Sequence, residues 1–171
     1  MRFLTIVRHA EAVPAEGGVS DVDRVLSSNG RAQADVLRNW ACDPNALGQY
    51  GPTTALVSSA ARTRETYALA FAGTPFVHAV ETSDLIYNGR RDVTAQDLLL
   101  ELTAIDPVTE SLLVVAHFPT VFDLVALLAK STVNELAEGT YPLGGAFVLL
   151  LKDEPVGLRR YELADVFIPV L

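Results

Sequence analysis

Short apolar runs rich in β-branched residues alternate along this chain with longer segments whose apolar residues recur every three or four positions. Few folds accept such a pattern, and it predicts a three-layer α/β/α sandwich with a mostly parallel central sheet. Phe3 to Val7 reads as a buried strand with Arg8 and His9 at its carboxyl end. Glu11 to Arg24 contains Pro14, Gly17, Gly18 and four acidic residues without a period, which predicts a loop. Ser27 is placed to cap a helix in which Ala34, Val36, Leu37, Trp40 and Ala41 share a face and which Pro44 stops. Ala55 to Val57 is a second strand, followed by a helix capped by Ser58 or Ser59 and ended by Gly73 and Pro75, with Arg62 in its first turn. Phe76 to Val80 is expected as a third strand. Thr94 opens a helix built on Ala95, Leu98, Leu99 and Leu102 that Pro107 closes. Leu112 to Val115 is an unbroken apolar strand running into His117, and Val121, Leu124, Val125 and Leu128 repeat the helical spacing. Ala146 to Leu151 and Leu158 to Leu163, around a turn at Asp153 to Gly157, predict an antiparallel hairpin at the sheet edge.

At 171 residues, with half of them hydrophobic, the chain is expected to form a single domain over residues 1–171 with a full core. Thirteen basic residues against 21 acidic ones give a net charge of -8, and only two of the thirteen are lysines. Nucleic-acid and anionic-membrane binding are not expected, because both need a broad cationic face. The lone Cys42 cannot form an internal disulfide, and one cysteine with three histidines cannot supply a thiolate-rich zinc site. Met1 to Val7 is too short for a signal-peptide core or a membrane span, so the expected location is cytoplasmic. Oligomeric state is not encoded in any pattern seen.

Ligands of open α/β sheets bind outside the carboxyl ends of the strands. Three such ends would deliver Arg8, His9, Arg62 and His117 to one pocket, with Arg62 at a helix start whose free N–H groups favour an anion. Guanidinium forks match phosphate oxygens, and a neutral imidazole among them can attack phosphorus. Clustered positive charge would keep His9 unprotonated and stabilise a negative transition state. Taken singly, each residue has a plainer reading: His117 as a satisfied histidine at a strand end, Arg62 as a solvated helix residue. His78 stands apart and is expected to be structural or exposed. A cysteine phosphatase would need an arginine six residues after Cys42, where Gly48 stands. The Asp21-Val22-Asp23 triplet lies in the polar loop rather than at the first strand end, as a solvated run or a rim of the pocket. No Gly-rich nucleotide loop is present, and no cofactor or metal is expected.

The segment Leu4-Thr5-Ile6-Val7-Arg8-His9-Ala10-Glu11 resembles the Arg-His-Gly signature of the histidine phosphatase superfamily, the phosphoglycerate mutase-like group. Leu26-Ser27-x-x-Gly30-x-x-Gln33-Ala34, Val57-Ser58-Ser59-x-x-Arg62-Thr63 and Val114-Val115-Ala116-His117-Phe118-Pro119 resemble further family segments in the same order. Asp84-Leu85-x-Tyr87 resembles the segment that carries the acid in many members. The compact length is most similar to the short SixA-type phosphohistidine phosphatases. The resemblance implies hydrolysis through a phosphohistidine on His9, with Arg8 and Arg62 holding the phosphoryl oxygens and His117 donating to them. It also implies Asp84 as proton donor, with Glu11 as the alternative. Expected substrates are a phosphorylated protein histidine or a small phosphorylated metabolite, and a labile phosphoryl donor suits an ill-placed acid. A broad phosphomonoesterase and a noncatalytic phosphoprotein-binding module are the rival readings, and a mutase would need covering segments this chain is too short to supply. Two positions depart from the family: Ala10 replaces glycine, and Phe118 stands where many members have asparagine.

Overall fold

The run at residues 111–116 is buried at all six positions, so it must be covered on both faces, and it lies inside a six-stranded sheet. The computed structural model describes residues 1–52, 54–89, 92–105, 109–129, 141–156 and 159–171. In chain order the elements are β1 (Phe3–Arg8), α1 (Ser28–Cys42), β2 (Thr54–Ser58), α2 (Ala61–Ala70), β3 (Ala79–Ser83), α3 (Ala95–Ala104), β4 (Ser111–Ala116), α4 (Thr120–Leu128), β5 (Ala146–Val156) and β6 (Arg159–Phe167). The strand order is β3-β2-β4-β1-β5-β6. Pairings among β1 to β4 are parallel, and β5 and β6 add antiparallel to β1 as an edge hairpin. This is the expected layered α/β architecture.

Period-two alternation assigns the strand side chains to two cores. Leu4, Ile6, Leu56, Leu112, Val114 and Phe147 face the core that includes α3 and α4, while Val7, Ala55, Val57, Leu113, Val115 and Ala146 face the one that includes α1 and α2. Helix α1 buries Gly30, Ala34, Leu37 and Ala41, one side of the helix as its spacing predicts. Burying Leu37 alone is worth roughly 1.5–3 kcal/mol. Ser27 caps α1 by accepting from the Gly30 N–H, and Thr94 with Asp97 forms a reciprocal capping box on α3.

Three local expectations give way to tertiary context. The cap of α2 is Ala60, with no side-chain hydrogen bond, because Ser58 is drawn into β2 and its hydroxyl is engaged elsewhere. The third strand is Ala79–Ser83 rather than Phe76 to Val80. It is an edge strand whose register is set by β2, Thr54 opposite Ala79, and not by burial of an apolar run. Strand β5 continues through Val156, so Asp153 to Val156 is strand rather than turn, held by pairing with β6. Gly157, Leu158 and the expected helix stop at Pro107 lie outside the described residues. His78 is exposed, as expected. No helix among the described residues is long and apolar enough to cross a membrane.

Candidate active site

Parallel register puts Arg8 of β1 level with Ala116 of β4, and Ser58 ends the neighbouring β2, so the residues after these strands emerge on one rim. His9 is the first residue beyond β1. Its N–H donates to the Ala116 carbonyl at 3.1 Å, and its carbonyl accepts from the Gly144 N–H at 3.2 Å. Gly144 holds this position at φ +69°, which a side chain would strain. The His9 Nδ1–H donates to the Ala10 carbonyl at 2.7 Å, leaving the Nε2 lone pair free. Burial lowers the His9 pKa to about 4; the Ala10 carbonyl opposes the shift, and the charges of Arg62, Arg8 and Arg24 add to it. The ring is therefore neutral at pH 7.

The segment after His9 is braced by the residues of the Ser27–Ala34 motif. Gly30 approaches so closely that a Cβ there would stand 1.9 Å from the Glu11 carbonyl oxygen. Gln33 Oε1 accepts from the Glu11 N–H at 2.9 Å, and Ser27 Oγ donates to Glu11 Oε1 at 2.6 Å. Thr66 of α2 accepts from the Ala10 N–H at 3.0 Å. The Ala10 methyl, where the family has glycine, sits fully buried beside Leu26 and Ala34.

Arg8, His9, Arg62 and His117 line one cavity of about 340 Å³, together with Glu11, Asp21, Arg24, Asn88, Phe118 and others. The His9 and His117 rings meet edge to face with centroids 5.2 Å apart. His117 is 2% exposed, its Nε2 is 2.8 Å from Ser58 Oγ, and its buried Nδ1 has no partner. Burial, then the proximity of His9 and Arg62, pushes the His117 pKa well below the ordinary value. In the tautomer in which the Ser58 hydroxyl donates to Nε2, the neutral ring carries its proton on Nδ1 as an unused donor. Arg8 donates to the Tyr141 carbonyl, lies 5.1 Å from the Phe118 ring centroid and keeps a buried Nε–H without a partner. Phe118 thus supplies a cation–π wall to the cavity.

The two acids expected from sequence separate here. Asp84 is exposed on the bend after β3 and is not among the residues lining the cavity, because the chain turns there so that Tyr87, not Asp84, is buried. Glu11 does line the cavity, but hydrogen bonds from Ser27 and Asn29 hold its carboxyl below the ordinary range. Asp21 lines the cavity, as the rim reading of its triplet allowed, but its partners were not foreseen from sequence. Its Oδ2 accepts from Arg62 at 3.0 Å and from the Tyr87 hydroxyl at 2.8 Å, while Oδ1 accepts from Arg24 at 2.8 Å. Burial opposes ionisation of Asp21, but the donors Tyr87, Arg24 and Arg62 outweigh it and depress the pKa strongly. Arg24 is a third guanidinium on the cavity, and the only hint of either residue was their place in the polar loop. Among the described residues no group of three or more His, Cys, Asp or Glu is arranged to hold a metal ion.

No protein-family model and no curated protein matches the chain. Solved structures do. The provisionally assigned phosphohistidine phosphatase SixA of Agrobacterium tumefaciens is 28% identical, with a TM-score of 0.77 over 98% of each chain. A protein of the same provisional assignment from Nakamurella multipartitia is also 28% identical, with a TM-score of 0.73 over 99% of this chain and 97% of that one. The protein histidine phosphatase SixA solved with tungstate shares 20% identity and the fold, with a TM-score of 0.74 over 98% and 97%. The structures this chain resembles are therefore SixA phosphohistidine phosphatases and related histidine phosphatase superfamily members, and its fold is the phosphoglycerate mutase-like one that its motifs led us to expect.

Proposed function

We propose that the chain is a metal-independent phosphatase in which His9 is transiently phosphorylated, acting on a phosphoramidate such as a protein phosphohistidine. The observation that carries the reading is the hydrogen bond from His9 Nδ1–H to the Ala10 carbonyl inside a cavity with three arginines. It leaves a neutral, correctly tautomeric nucleophile facing groups that match a phosphoryl dianion. In the first step the Nε2 lone pair forms the N–P bond as the bond from phosphorus to the leaving group breaks, and the electron pair departs with that group. The free N–H groups of Arg8 and the Nδ1–H of His117 take up the phosphoryl oxygens, with Arg62 beside them. In the second step water attacks phosphorus, the N–P bond returns its electrons to His9, and a water proton passes to solvent or phosphate.

The acids support the substrate class. Asp21 and Glu11, the carboxyl groups lining the cavity among the described residues, are both held toward the ionised form, and Asp84 is outside it. An alkoxide leaving group needs a proton from such an acid. The imidazole of phosphohistidine does not, since with a proton on its other nitrogen it leaves neutral. The provisional assignment of two solved neighbours as SixA phosphohistidine phosphatases supports the same class. A pocket kept only for binding would not need its histidine neutral and aligned.

The test is trapping with phosphoramidate, then comparison of hydrolysis rates on phosphoramidate and an alkyl phosphate. Wild type should form an acid-labile phosphoenzyme and prefer the phosphoramidate. His9→Ala should lose label and turnover while still binding phosphate. Turnover retained by that variant would remove His9 from the chemistry.

A further inference from the structure

Three guanidinium groups around one small cavity repel one another unless a counter-charge holds them, and the free protein carries its own. Asp21 sits in the 3₁₀ turn Asp21–Asp23 and bridges Arg24 and Arg62. Both terminal nitrogens of Arg62 donate to this one residue: Nη1 to the main-chain oxygen at 2.7 Å and Nη2 to Oδ2 at 3.0 Å. Two anchored points determine the in-plane rotation of a guanidinium, and with it the direction of the Nε–Nη2 edge, whose two N–H groups stay parallel and available to an oxyanion. Below it lies Tyr87, 3% exposed, its ring centroid 5.8 Å from Arg62 and its hydroxyl on Asp21. Burial and the Asp21 charge raise the Tyr87 pKa, so the hydroxyl stays a donor.

We propose that Asp21 is a positioning residue for Arg62, holding its fork toward the phosphoryl group transferred to His9; this rests on the phosphatase reading of the same cavity. The side-chain hydrogen bonds of Asp21 go to Arg24, Arg62 and Tyr87 and not to His9, so it acts on the reaction through Arg62. The Asp84-Leu85-x-Tyr87 segment then serves the site through Tyr87 and Asp21 rather than through a proton donor. The opposite role is an internal competitor, a carboxylate that occupies the arginines until an oxyanion displaces it.

The two roles differ in sign. Removing a negative charge from beside an anion site strengthens anion binding by Coulomb attraction alone, whereas loss of a positioning residue weakens it. Orthovanadate binding, followed by vanadium NMR on the full chain, reads that sign without needing turnover. Asp21→Asn should bind vanadate about tenfold more weakly and lose about tenfold or more in kcat/KM, the size expected for a misdirected charge-assisted hydrogen bond. In an Arg62→Ala background the same change should cause no further loss, because Asp21 acts through Arg62. Tyr87→Phe, which keeps every charge, should weaken vanadate a few-fold, and it serves where Asp21→Asn fails to fold by thermal melting. Vanadate bound as tightly or more tightly by Asp21→Asn overturns the positioning role, as does an equal loss in the Arg62→Ala background. For the Tyr87→Phe arm, unchanged vanadate binding is the overturning result. Wild type that binds vanadate but hydrolyses no phosphoramidate overturns the phosphatase reading and leaves the vanadate comparison to decide on Asp21. Wild type that does not bind vanadate overturns both.

Discussion

The two walls of the cavity are built on different principles. The wall that carries His9 is held by backbone: Ala116, Gly144, Gln33 and Thr66 each take a main-chain group of His9, Ala10 or Glu11, and Gly30 packs directly on that segment. The wall after β3 is held by side chains, with Tyr87 on Asp21 and Asn88 Nδ2 donating to Thr120 Oγ1 at 2.8 Å, while Asp84 and Leu85 remain exposed. Backbone bracing fixes a nucleophile to within a fraction of an ångström, which is what in-line attack requires. Side-chain bracing orients charge and tolerates more change. The difference teaches that the nucleophile wall should be brittle and the opposite wall forgiving.

The harshest test of that contrast is Gly30→Ala. A Cβ 1.9 Å from a backbone oxygen has no room, so α1 or the His9–Glu11 segment must move. Activity should fall at least about a hundredfold, as misplacing a nucleophile by an ångström does. A melting curve and the kcat of this variant check it, and near-normal kcat would show that the wall is not rigid.

A second test loads the two buried histidines, His9 and His117, through pH. His9 is held near pKa 4 in the folded protein, whereas an unfolded chain returns it to about 6.5. Between those values the unfolded state binds the extra proton, so stability should be unchanged above about pH 6.5 and fall progressively toward pH 4. Over the same range kcat/KM should persist, dropping only as pH falls through about 4, where Nε2 becomes protonated. His9→Asn should make the stability slope shallower, leaving the share that His117 contributes. An acid limb of kcat/KM at 6.5 in wild type would mean that the imidazole is more solvated than its surroundings indicate.

The mildest test is on the forgiving wall. Asp84→Asn changes an exposed side chain away from the cavity, so kcat/KM should stay within about twofold of wild type. A large loss on an alkyl phosphate would bring Asp84 back as a proton donor.

Legibility followed the same division. Ser27 was readable as a cap from its residue type and place, whereas Gly30 and Gln33 entered only through the family resemblance, and the structure supplies their reason: a close approach to Glu11 and an acceptor for its N–H. Spacing alone could not say which way Asp84 turns: it is exposed and outside the residues that line the cavity, while Tyr87, three residues later, is buried with its hydroxyl on Asp21. Asp21 was half-seen, because a carboxylate in a glycine-rich polar loop has the same local signature whether it is solvated or paired with a helix 41 residues away.

By itself the sequence determined the alternation of strand and helix, hence the sheet and the rim where Arg8, His9, Arg62 and His117 emerge, since side-chain period within an element is a local property of the backbone. Only the tertiary structure decided what those residues touch. Ser58 on His117, Asp21 between two arginines and Asp84 turned outward all depend on where loops from distant parts of the chain come to rest, and that is set by long-range packing rather than by any spacing along the chain.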